Sequence, residues 1–341
     1  MRVACRSAKS VLMMAVLLGL CFVPMMSWGE VAEWTLVTEI DEFSFCMSRF
    51  DESTIAISVQ DGFYALDIAT WRTDMVVTSG MGLTRPTFVW GPRDLWATAS
   101  IAEGGFAPIW RRDSDSGVWA PYHPIDVTGG NILSVYPLWI DRNGDPWAGV
   151  DWSIQMFDGS QWQHVMGDIE FWIKCDMISE GPDGNVWIGS QYGVFSWSYE
   201  RLFVNLYTEA NTGFPLKCPM FGFWDSRGLY WIDGGPDLIV VWEGRGYSLL
   251  PFVSEYSSTF FSIDEDSQGN IWLGTFDGKG LIVIRPNGEV LHLPAPDGHG
   301  YGMYTYFEVI CADDGFTYIR ALGDTHDRAD IWAVSLNDTL P

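Results

Sequence analysis

Positive charge is scarce in this chain. Of its 341 residues, 19 are Lys or Arg and 44 are Asp or Glu, which gives a formal net charge of −25 at pH 7. Proteins that bind nucleic acid rely on clustered Lys and Arg, so a surface of this sign repels phosphate backbones. The composition therefore excludes nucleic acids and anionic membrane faces as expected partners.

Long apolar runs are missing except near the N terminus, where one extends over Val11–Val23. Basic residues precede it and the small residues of Ser27-Trp28-Gly29 follow it, which predicts a signal peptide over residues 1–29. The run is shorter than the roughly 20 residues that span a bilayer, which argues against the alternative of an N-terminal anchor. A lipoprotein signal at Cys21 is a further alternative, but Leu20 fits it poorly. We expect a secreted or periplasmic chain with no membrane insertion after cleavage.

Catalytic motifs are also missing. The sequence has no nucleophile elbow, no His-Glu-x-x-His zinc site, no phosphate-binding Gly loop and no dinucleotide fingerprint. The acidic turn Asp113–Gly117 lacks the later bidentate Glu of a calcium loop. The five histidines of the chain are scattered along the sequence. Two of them, His299 and His326, fall in long segments that could lie close together in the fold. The sequence predicts no catalytic residue, no metal site and no cofactor.

A repeat is what the sequence does contain. In Asp266–Ile284 a Gly-containing turn leads to Ile-Trp-Leu-Gly, and a second Gly-rich turn leads to Leu-Ile-Val-Ile. The same order recurs in Asp141–Phe157, Asp183–Trp197 and Asp225–Trp242, and fainter copies begin at Asp51, Pro92 and Asp313. The mean spacing is roughly 44 residues, the period of a four-stranded propeller blade.

This period predicts the fold. We expect one all-β domain over residues 30–341, a seven-bladed β-propeller with four-stranded blades. The segment Glu33–Thr38 precedes the first repeat and resembles the fourth strands of other units, whereas the last unit has no such segment. The N-terminal strand is therefore expected to complete the last blade and close the ring, which removes two exposed sheet edges.

Cysteine is also rare. Four of six cysteines follow the signal peptide, an even number in a chain bound for an oxidising compartment. Cys175 and Cys218 occupy nearly the same place in units four and five, and Cys46 and Cys311 precede the turns of units one and seven. We predict disulfides Cys175–Cys218 and Cys46–Cys311. Four cysteines allow three pairings, and free thiols are the alternative.

The repeat Asp-x-x-Gly-Asn-Ile-Trp-Leu-Gly-Thr, followed by a Gly-containing turn and Gly-Leu-Ile-Val-Ile, resembles the two-component regulator propeller repeat. The match is close at Asp266–Ile284 and Asp183–Trp197 and fair at Asp141–Phe157 and Asp225–Trp242. In that family the repeat builds the periplasmic ligand-sensing half of hybrid histidine kinases, and similar propellers occur as free-standing secreted proteins. The resemblance implies a sensor-like binding module.

Candidate binding residues follow from propeller geometry. Ligands of propellers usually meet the face built by loops that join the second strand to the third and one blade to the next. Exposed aromatics beside carboxylates and amides suit a sugar or a peptide. The candidates in these loops are Asp151, Trp152, Trp172, Lys174, Tyr192, Tyr256, Phe276, Asp277, Tyr304 and His326. The alternative for any single aromatic is that it packs its own loop.

The function expected from the sequence is a monomeric, non-catalytic module that binds a carbohydrate or peptide ligand, or a protein partner, on its loop face. Two alternatives stay open. One is a propeller lyase or glycan-active enzyme that uses loop carboxylates with His299 or His326, and the other is a structural surface protein.

Overall fold

The computed structural model describes residues 32–42, 44, 46–77, 86–91, 94–99, 108–113, 115–127, 132, 135–167, 173, 175–198, 205–212, 216, 219, 221–233, 238–242, 247–251, 260–276, 278–296, 305–322 and 328–336. These residues form seven four-stranded antiparallel sheets. One short helix, α1 (Glu209–Thr212), lies in a link between sheets. No helix in the described part of the chain has the length and apolar character needed to cross a bilayer. The predicted signal peptide, residues 1–29, lies outside the described residues and stays a prediction.

The first three sheets follow chain order, with the first strand of each innermost. The first contains β2 (Met47–Arg49), β3 (Thr54–Val59), β4 (Gly62–Asp67) and β5 (Arg72–Val77). The second contains β6 (Pro86–Trp90), β7 (Asp94–Ala99), β8 (Ile109–Asp113) and β9 (Trp119–Tyr122). The third contains β10 (Val135–Ile140), β11 (Pro146–Val150), β12 (Ser153–Phe157) and β13 (Trp162–Met166).

The remaining sheets continue the series. The fourth contains β14 (Cys175–Glu180), β15 (Val186–Ser190), β16 (Gly193–Trp197) and β17 (Asn205–Tyr207). The fifth contains β18 (Gly222–Trp224), β19 (Tyr230–Asp233), β20 (Leu238–Trp242) and β21 (Tyr247–Pro251). The sixth contains β22 (Phe260–Glu265), β23 (Ile271–Thr275), β24 (Leu281–Ile284) and β25 (Val290–Leu293). The seventh combines β26 (Tyr306–Cys311), β27 (Thr317–Leu322) and β28 (Ala329–Leu336) with the N-terminal β1 (Ala32–Ile40).

The prediction of an all-β propeller with four-stranded blades is confirmed. In the seventh sheet the order is β26-β27-β28-β1, and β1 pairs antiparallel with β28 from Ala32 opposite Leu336 to Ile40 opposite Ala329. Pairing of the two ends of the chain satisfies backbone groups that an open edge would expose.

In the third, fifth and sixth sheets, an aspartate six residues before the second-strand tryptophan organises the turn between the first and second strands. In the fourth sheet Gly181 stands at that position. In the sixth sheet, Asp266 accepts hydrogen bonds from the backbone N–H of Gln268 at 3.0 Å and of Asn270 at 2.9 Å. Its other oxygen accepts from the indole Nε1 of Trp272 at 2.8 Å. Gly269 has φ +80°, a left-handed conformation that favours glycine. One carboxylate thus fixes both the turn and the tryptophan of the following strand.

The same tie recurs in two other sheets. Asp141 accepts from Trp147 Nε1, and Asp225 accepts from Trp231 Nε1, both at 3.1 Å. Trp147 is 0% exposed and Trp231 is 3% exposed. The second-strand tryptophans at these positions are therefore core residues.

Side chains of the inner strands hold neighbouring sheets in register. Between the sixth and seventh sheets, the Ser262 hydroxyl donates to the carbonyl of Phe307 at 3.2 Å and accepts from the N–H of Val309 at 3.0 Å. Two residues along, Asp264 accepts from the N–H of Cys311 at 2.8 Å. Both residue numbers increase in step, so these two inner strands run parallel and the two sheets have their turns on common faces. The same step recurs between the seventh and first sheets, where Met47 contacts Glu308 and Arg49 contacts Cys311.

A second set of links joins turns of neighbouring sheets. The N–H of Arg142 donates to Glu180 at 2.7 Å, and the N–H of Ser226 donates to Glu265 at 2.6 Å. In each case the donor follows the turn aspartate and the acceptor is the last residue of the next sheet's first strand. Between the fourth and fifth sheets the donor position is Pro182, which has no N–H. We call the two links the turn latches.

The predicted Cys46–Cys311 disulfide is wrong. The Cys46 thiol lies 3.4 Å from the Ser58 hydroxyl, and the Cys311 thiol lies 3.5 Å from the Thr317 hydroxyl. Arg49, three residues after Cys46, donates to the carbonyl of Cys311. A three-residue offset on parallel strands is roughly 10 Å, beyond the reach of a disulfide.

The predicted Cys175–Cys218 disulfide is not formed either. Cys175 is a buried thiol whose Sγ lies 3.4 Å from the carbonyl oxygen of Met177. Cys218 lies outside the described residues. None of the three described cysteines takes part in a disulfide.

Candidate functional site

Antiparallel pairing divides the turns of every sheet between two faces. The turns from first to second strand and from third to fourth lie on one face, which contains the turn latches. The turns from second to third strand and the links between sheets lie on the other, which we call the loop face. This is the face on which the sequence predicts ligand binding.

Asp151 and Trp152 form the two-residue hairpin between β11 and β12. Asp151 has φ +47°, a left-handed conformation that Asp tolerates better than most residues and that suits a tight hairpin. The Ser153 hydroxyl donates to the carbonyl of Val150 at 3.0 Å, and the carbonyl of Trp152 accepts from the N–H of Ile173 at 2.9 Å. The hairpin is thus fixed on both sides while the Trp152 side chain is 44% exposed.

Tyr192 occupies the equivalent place in the next sheet, between β15 and β16. Its N–H donates to the Ser190 hydroxyl at 3.1 Å, and that hydroxyl donates to the carbonyl of Gly193 at 3.0 Å. Gly193 has φ +130°, and a Cβ there would meet the carbonyl oxygen of Tyr207 at 2.2 Å. The backbone is therefore rigid, and it holds Tyr192 37% exposed.

Phe276 begins the turn between β23 and β24 and is half-buried. The Thr275 hydroxyl closes this turn by donating to the carbonyl of Gly280 at 2.8 Å. The carbonyl of Lys279 lies 2.7 Å from Nε2 of His292. Phe276 is thus less accessible than Trp152 or Tyr192.

The structure brings Trp152 and Tyr192 to equivalent positions in adjacent sheets, beside Asp151 and Gln191 respectively. Phe276 shares the loop face two sheets further along the chain. The other predicted binding residues lie outside the described residues: Trp172, Lys174, Tyr256, Asp277, Tyr304 and His326. Their roles stay predictions.

Negative charge extends over the described part of the loop face. Asp41 follows β1 and Asp61 lies in the turn between β3 and β4, and both side chains are exposed. Next to Asp41, Glu42 accepts a hydrogen bond from the Tyr64 hydroxyl at 3.1 Å. Burial, and then this contact, raises the pKa of Tyr64. A ligand with strong negative charge is disfavoured on such a face.

Gln155 was not predicted as a functional residue, yet it fixes one of the links on the loop face. Its side chain is buried, its Oε1 accepts from the N–H of Ile125 at 2.8 Å, and its Nε2 donates to the carbonyl of the same residue at 2.6 Å. Nε2 also lies 3.1 Å from the Ser153 hydroxyl, beside Trp152. The only signal in the sequence was an amide inside the apolar run Ile154–Phe157.

Within the described ranges, no group of three or more His, Cys, Asp or Glu side chains is placed to hold a metal ion. The side chains that the described loop face presents to a ligand are aromatic rings, carboxylates and amides. Rings can stack on the apolar face of a sugar or on an apolar or cationic side chain, and the polar groups can bind hydroxyls or amides.

Comparison with solved structures places the chain among propellers. A streptogramin B lyase has a TM-score of 0.69 at 12% identity, with 92% of this chain and 100% of that chain covered. YCF48 bound to D1 peptide has a TM-score of 0.60 at 13% identity, with 94% and 100% covered. At these identities the similarity shows the fold alone.

An extracellular domain assigned to a hybrid two-component system of B. thetaiotaomicron has a TM-score of 0.66 at 14% identity. The match covers 88% of this chain and 40% of that chain. No curated protein matches the sequence.

The family model of the two-component regulator propeller matches residues 257–277. This segment includes β22, the Asp266 turn and β23, the unit on which the resemblance was strongest. The chain is therefore a β-propeller that carries the two-component regulator propeller repeat.

Proposed function

We propose that this chain is a non-catalytic binding module whose loop face recognises a carbohydrate or peptide ligand or a partner protein. The observation that carries the proposal is the pair Trp152 and Tyr192, 44% and 37% exposed, on equivalent hairpins of adjacent sheets. Each ring stands on a backbone fixed by a serine hydroxyl. A rigid, exposed aromatic loses little conformational entropy on binding, which favours affinity.

The charge of the chain narrows the ligand class. With a net charge of −25 and exposed carboxylates on the loop face, the site favours neutral or cationic ligands over uronates, sulfated sugars and phosphopeptides. Neutral oligosaccharides and peptides with Lys or Arg are therefore the first compounds to test.

We also propose that the module acts outside the cytoplasm. The predicted signal peptide supports this location, and the similar hybrid two-component domain is described as extracellular. Detection of the mature N terminus at Glu30 after export would support it, and recovery of full-length chain in the cytoplasm would contradict it.

We further propose that the seven sheets form one closed, seven-bladed ring completed by β1. Core contacts between consecutive sheets support it: Trp231 packs with Ile271 across the fifth and sixth sheets, and Ile57 packs with Ile310 across the first and seventh. In hydrogen–deuterium exchange, the β1 amides should be as protected as those of β28. Exchange of β1 at the rate of an unstructured segment would contradict closure.

The binding proposal is tested by a thermal-shift screen of the mature chain against neutral oligosaccharides, lysine-containing peptides and divalent cations. A ligand at about 100 times its Kd stabilises the native state by about 2.7 kcal/mol. Trp152→Ala or Tyr192→Ala should weaken a hit by about tenfold, or 1.4 kcal/mol. Val118→Ala is the control, because Val118 is 61% exposed on the opposite face. A hit that both loop-face variants bind as tightly as the wild type would refute the site.

A lyase or glycan-active enzyme is the second candidate, since a streptogramin B lyase shares the fold. His299 and His326, the residues that the sequence suggests for it, lie outside the described residues. Product formed from an oligosaccharide or a lactone, and lost in a His299→Ala or His326→Ala variant, would favour the enzyme over the binding module.

A further inference from the structure

Gln155 is a buried amide at a core position where neighbouring sheets have apolar side chains. It pairs with Ala148, the residue after the second-strand tryptophan. The residues at the same register of the fourth, fifth and sixth sheets are Phe195, Val240 and Ile282. A buried amide costs free energy unless its polar atoms are paired, and departures from the local pattern of a repeat are expected at functional sites. Packing of the core alone does not explain this residue.

The contacts of Gln155 explain its presence. Its Oε1 accepts from the N–H of Ile125 at 2.8 Å, and its Nε2 donates to the carbonyl of the same residue at 2.6 Å, as in a pair of strands. A flipped amide would set its NH2 group against that N–H, so this orientation is determined. Nε2 also donates at 3.1 Å to the Ser153 hydroxyl, whose own proton goes to the carbonyl of Val150. One amide therefore joins the link between the second and third sheets to the hairpin of Trp152.

This tie places two exposed apolar side chains on neighbouring pieces of backbone. The carbonyl oxygen of Ile125 and the Ser153 hydroxyl bind the same nitrogen, so they lie at most about 6 Å apart. Ile125 is 41% exposed, and Trp152, which adjoins Ser153, is 44% exposed. A ligand that covers one of these two side chains therefore lies close to the other.

Negative charge accompanies both exposed side chains. Each of them has an aspartate next to it in the sequence, Asp126 and Asp151 respectively. Residues 115–127 and 135–167 contain one Lys or Arg, and that residue, Arg142, lies on the opposite face. These two segments therefore add negative charge to the loop face without a Lys or Arg that would neutralise it there. Such a surface is complementary to a cation.

We propose that Ile125 and Trp152 form a subsite for a lysine or arginine side chain of a peptide, and that Gln155 positions the two halves of this subsite. The inference rests on the proposed binding function of the loop face and narrows its ligand to a cationic peptide. The apolar stem of such a side chain packs against Ile125 and the indole ring, while its charged head meets the face of the ring and the carboxylates of Asp126 and Asp151. A neutral sugar would use the ring but not the charge.

Charge recognition gives this binding a dependence on salt. A chain of net charge −25 attracts a cationic peptide, and NaCl screens that attraction between groups exposed to solvent. The affinity for the peptide should therefore fall as NaCl rises. Stacking of a neutral sugar on the indole ring would lack this dependence.

Titration calorimetry of the mature chain with three matched peptides tests the ligand class, at low and at physiological NaCl. The probe is a pentapeptide with one central lysine between pairs of glycines, acetylated at its N terminus and amidated at its C terminus. The second peptide has acetyl-lysine at the centre, which removes the charge, and the third has norleucine, which keeps the apolar stem alone. Each replacement should raise the dissociation constant at least about tenfold.

Variants of the chain test the residues. Trp152→Ala and Ile125→Ala should each raise the dissociation constant of the lysine peptide about three- to tenfold. Because both side chains contact the same lysine stem, their combined effect should be smaller than the product of the two effects. Gln155→Leu, which has the apolar character of the neighbouring sheets at this position, should weaken binding and make the two effects independent. A merely structural role of Gln155 would lower the unfolding temperature but leave the coupling unchanged. Val118→Ala, on the opposite face, is the control and should bind as the wild type does.

Equal affinity for the lysine and acetyl-lysine peptides would overturn the proposal, as would unchanged binding in folded Trp152→Ala and Ile125→Ala variants. Absence of lysine-peptide binding up to about 5 mM would also overturn it. If a neutral oligosaccharide then binds in a manner that depends on Trp152, the proposed binding function stands and the cationic ligand class is wrong. If no compound of either class binds, the proposed function fails as well.

Discussion

Replacing Asp266 by alanine tests the idea that one carboxylate organises both the turn and the following strand, as it does in the third, fifth and sixth sheets. The change removes four hydrogen bonds: those from the N–H groups of Gln268 and Asn270, from the Asn270 side chain, and from the Trp272 indole. Trp272 is 1% exposed, so its indole N–H cannot gain water in exchange.

The expected loss of stability follows from these contacts. A hydrogen bond contributes about 1 kcal/mol net, more when one group is charged, and a buried donor left unpaired costs about 1–3 kcal/mol. The two backbone donors of the exposed turn regain water, which reduces their share. We expect Asp266→Ala to lower the free energy of unfolding by about 3 kcal/mol.

A matched control is available in the fourth sheet. Asp183 belongs to the corresponding turn, two residues after Gly181, which stands at the position of Asp266. Its carboxylate is exposed and accepts hydrogen bonds from the N–H and the side chain of Asn185. Asp183→Ala should therefore cost below about 1 kcal/mol. Urea unfolding of both variants beside the wild type measures the difference. Equal losses in the two variants, or a negligible loss in Asp266→Ala, would refute the reasoning.

Three further predictions concern the seams between sheets. Glu265→Ala should lower the free energy of unfolding in urea by about 1–2 kcal/mol. In a Ser226→Pro background, which already lacks the N–H of the turn latch, the loss should be much smaller, and additive losses would contradict the latch. Burial raises the pKa of Asp264 to about 6. The native state then holds a proton that the unfolded state releases, so stability falls as pH rises from about 4 to 6, by at most roughly 3 kcal/mol. Asp264→Asn should lack this contribution, and parallel pH profiles of wild type and variant would contradict it. Burial also raises the thiol pKa of Cys46 and of Cys311, so both thiols should resist alkylation in the native state and react in denaturant without reductant. Mass spectrometry of the alkylated chain measures the extent of reaction, and rapid labelling of the native protein would contradict the prediction.

The fold could be predicted because the residues of each repeat determine its local structure. Asp266 begins the turn and Trp272 lies in the strand that follows it. The Asp266 carboxylate accepts hydrogen bonds from both the N–H of Gln268 in the turn and the indole of Trp272. Repetition at a constant period then requires stacked four-stranded units. Local chemistry and global architecture agree, so the sequence was sufficient.

The cysteine pairing could not be predicted, because it depends on the offset between strands that are distant in sequence. Cys46 and Cys311 each precede a turn, but hydrogen bonds place Met47 beside Glu308 and Arg49 beside Cys311. The equivalent turns begin at Phe50 and Ala312, so Cys46 lies four residues before its turn and Cys311 only one. The two turns had to be aligned in the structure before this offset could be counted.

The exposure of the apolar side chains of β5 could not be predicted from the sequence either. The run Asp74-Met75-Val76-Val77 has the pattern of an ordinary half-buried strand, yet Met75, Val76 and Val77 are exposed in the structure. At the candidate site, the loop face and the hairpins of Trp152 and Tyr192 followed from the repeat. The role of Gln155 did not, because its partner Ile125 lies 30 residues away in an irregular link.

The pairing of β1 with β28 also determines from which side the propeller can be attached to another structure. Strand β1 begins at Ala32, opposite Leu336 at the end of β28, and both positions lie on the face of the turn latches. A tether, a surface or a fused domain joined beyond either position would approach the propeller from that side. The hairpins of Trp152 and Tyr192 lie on the opposite face, so such an attachment would leave them accessible to solvent.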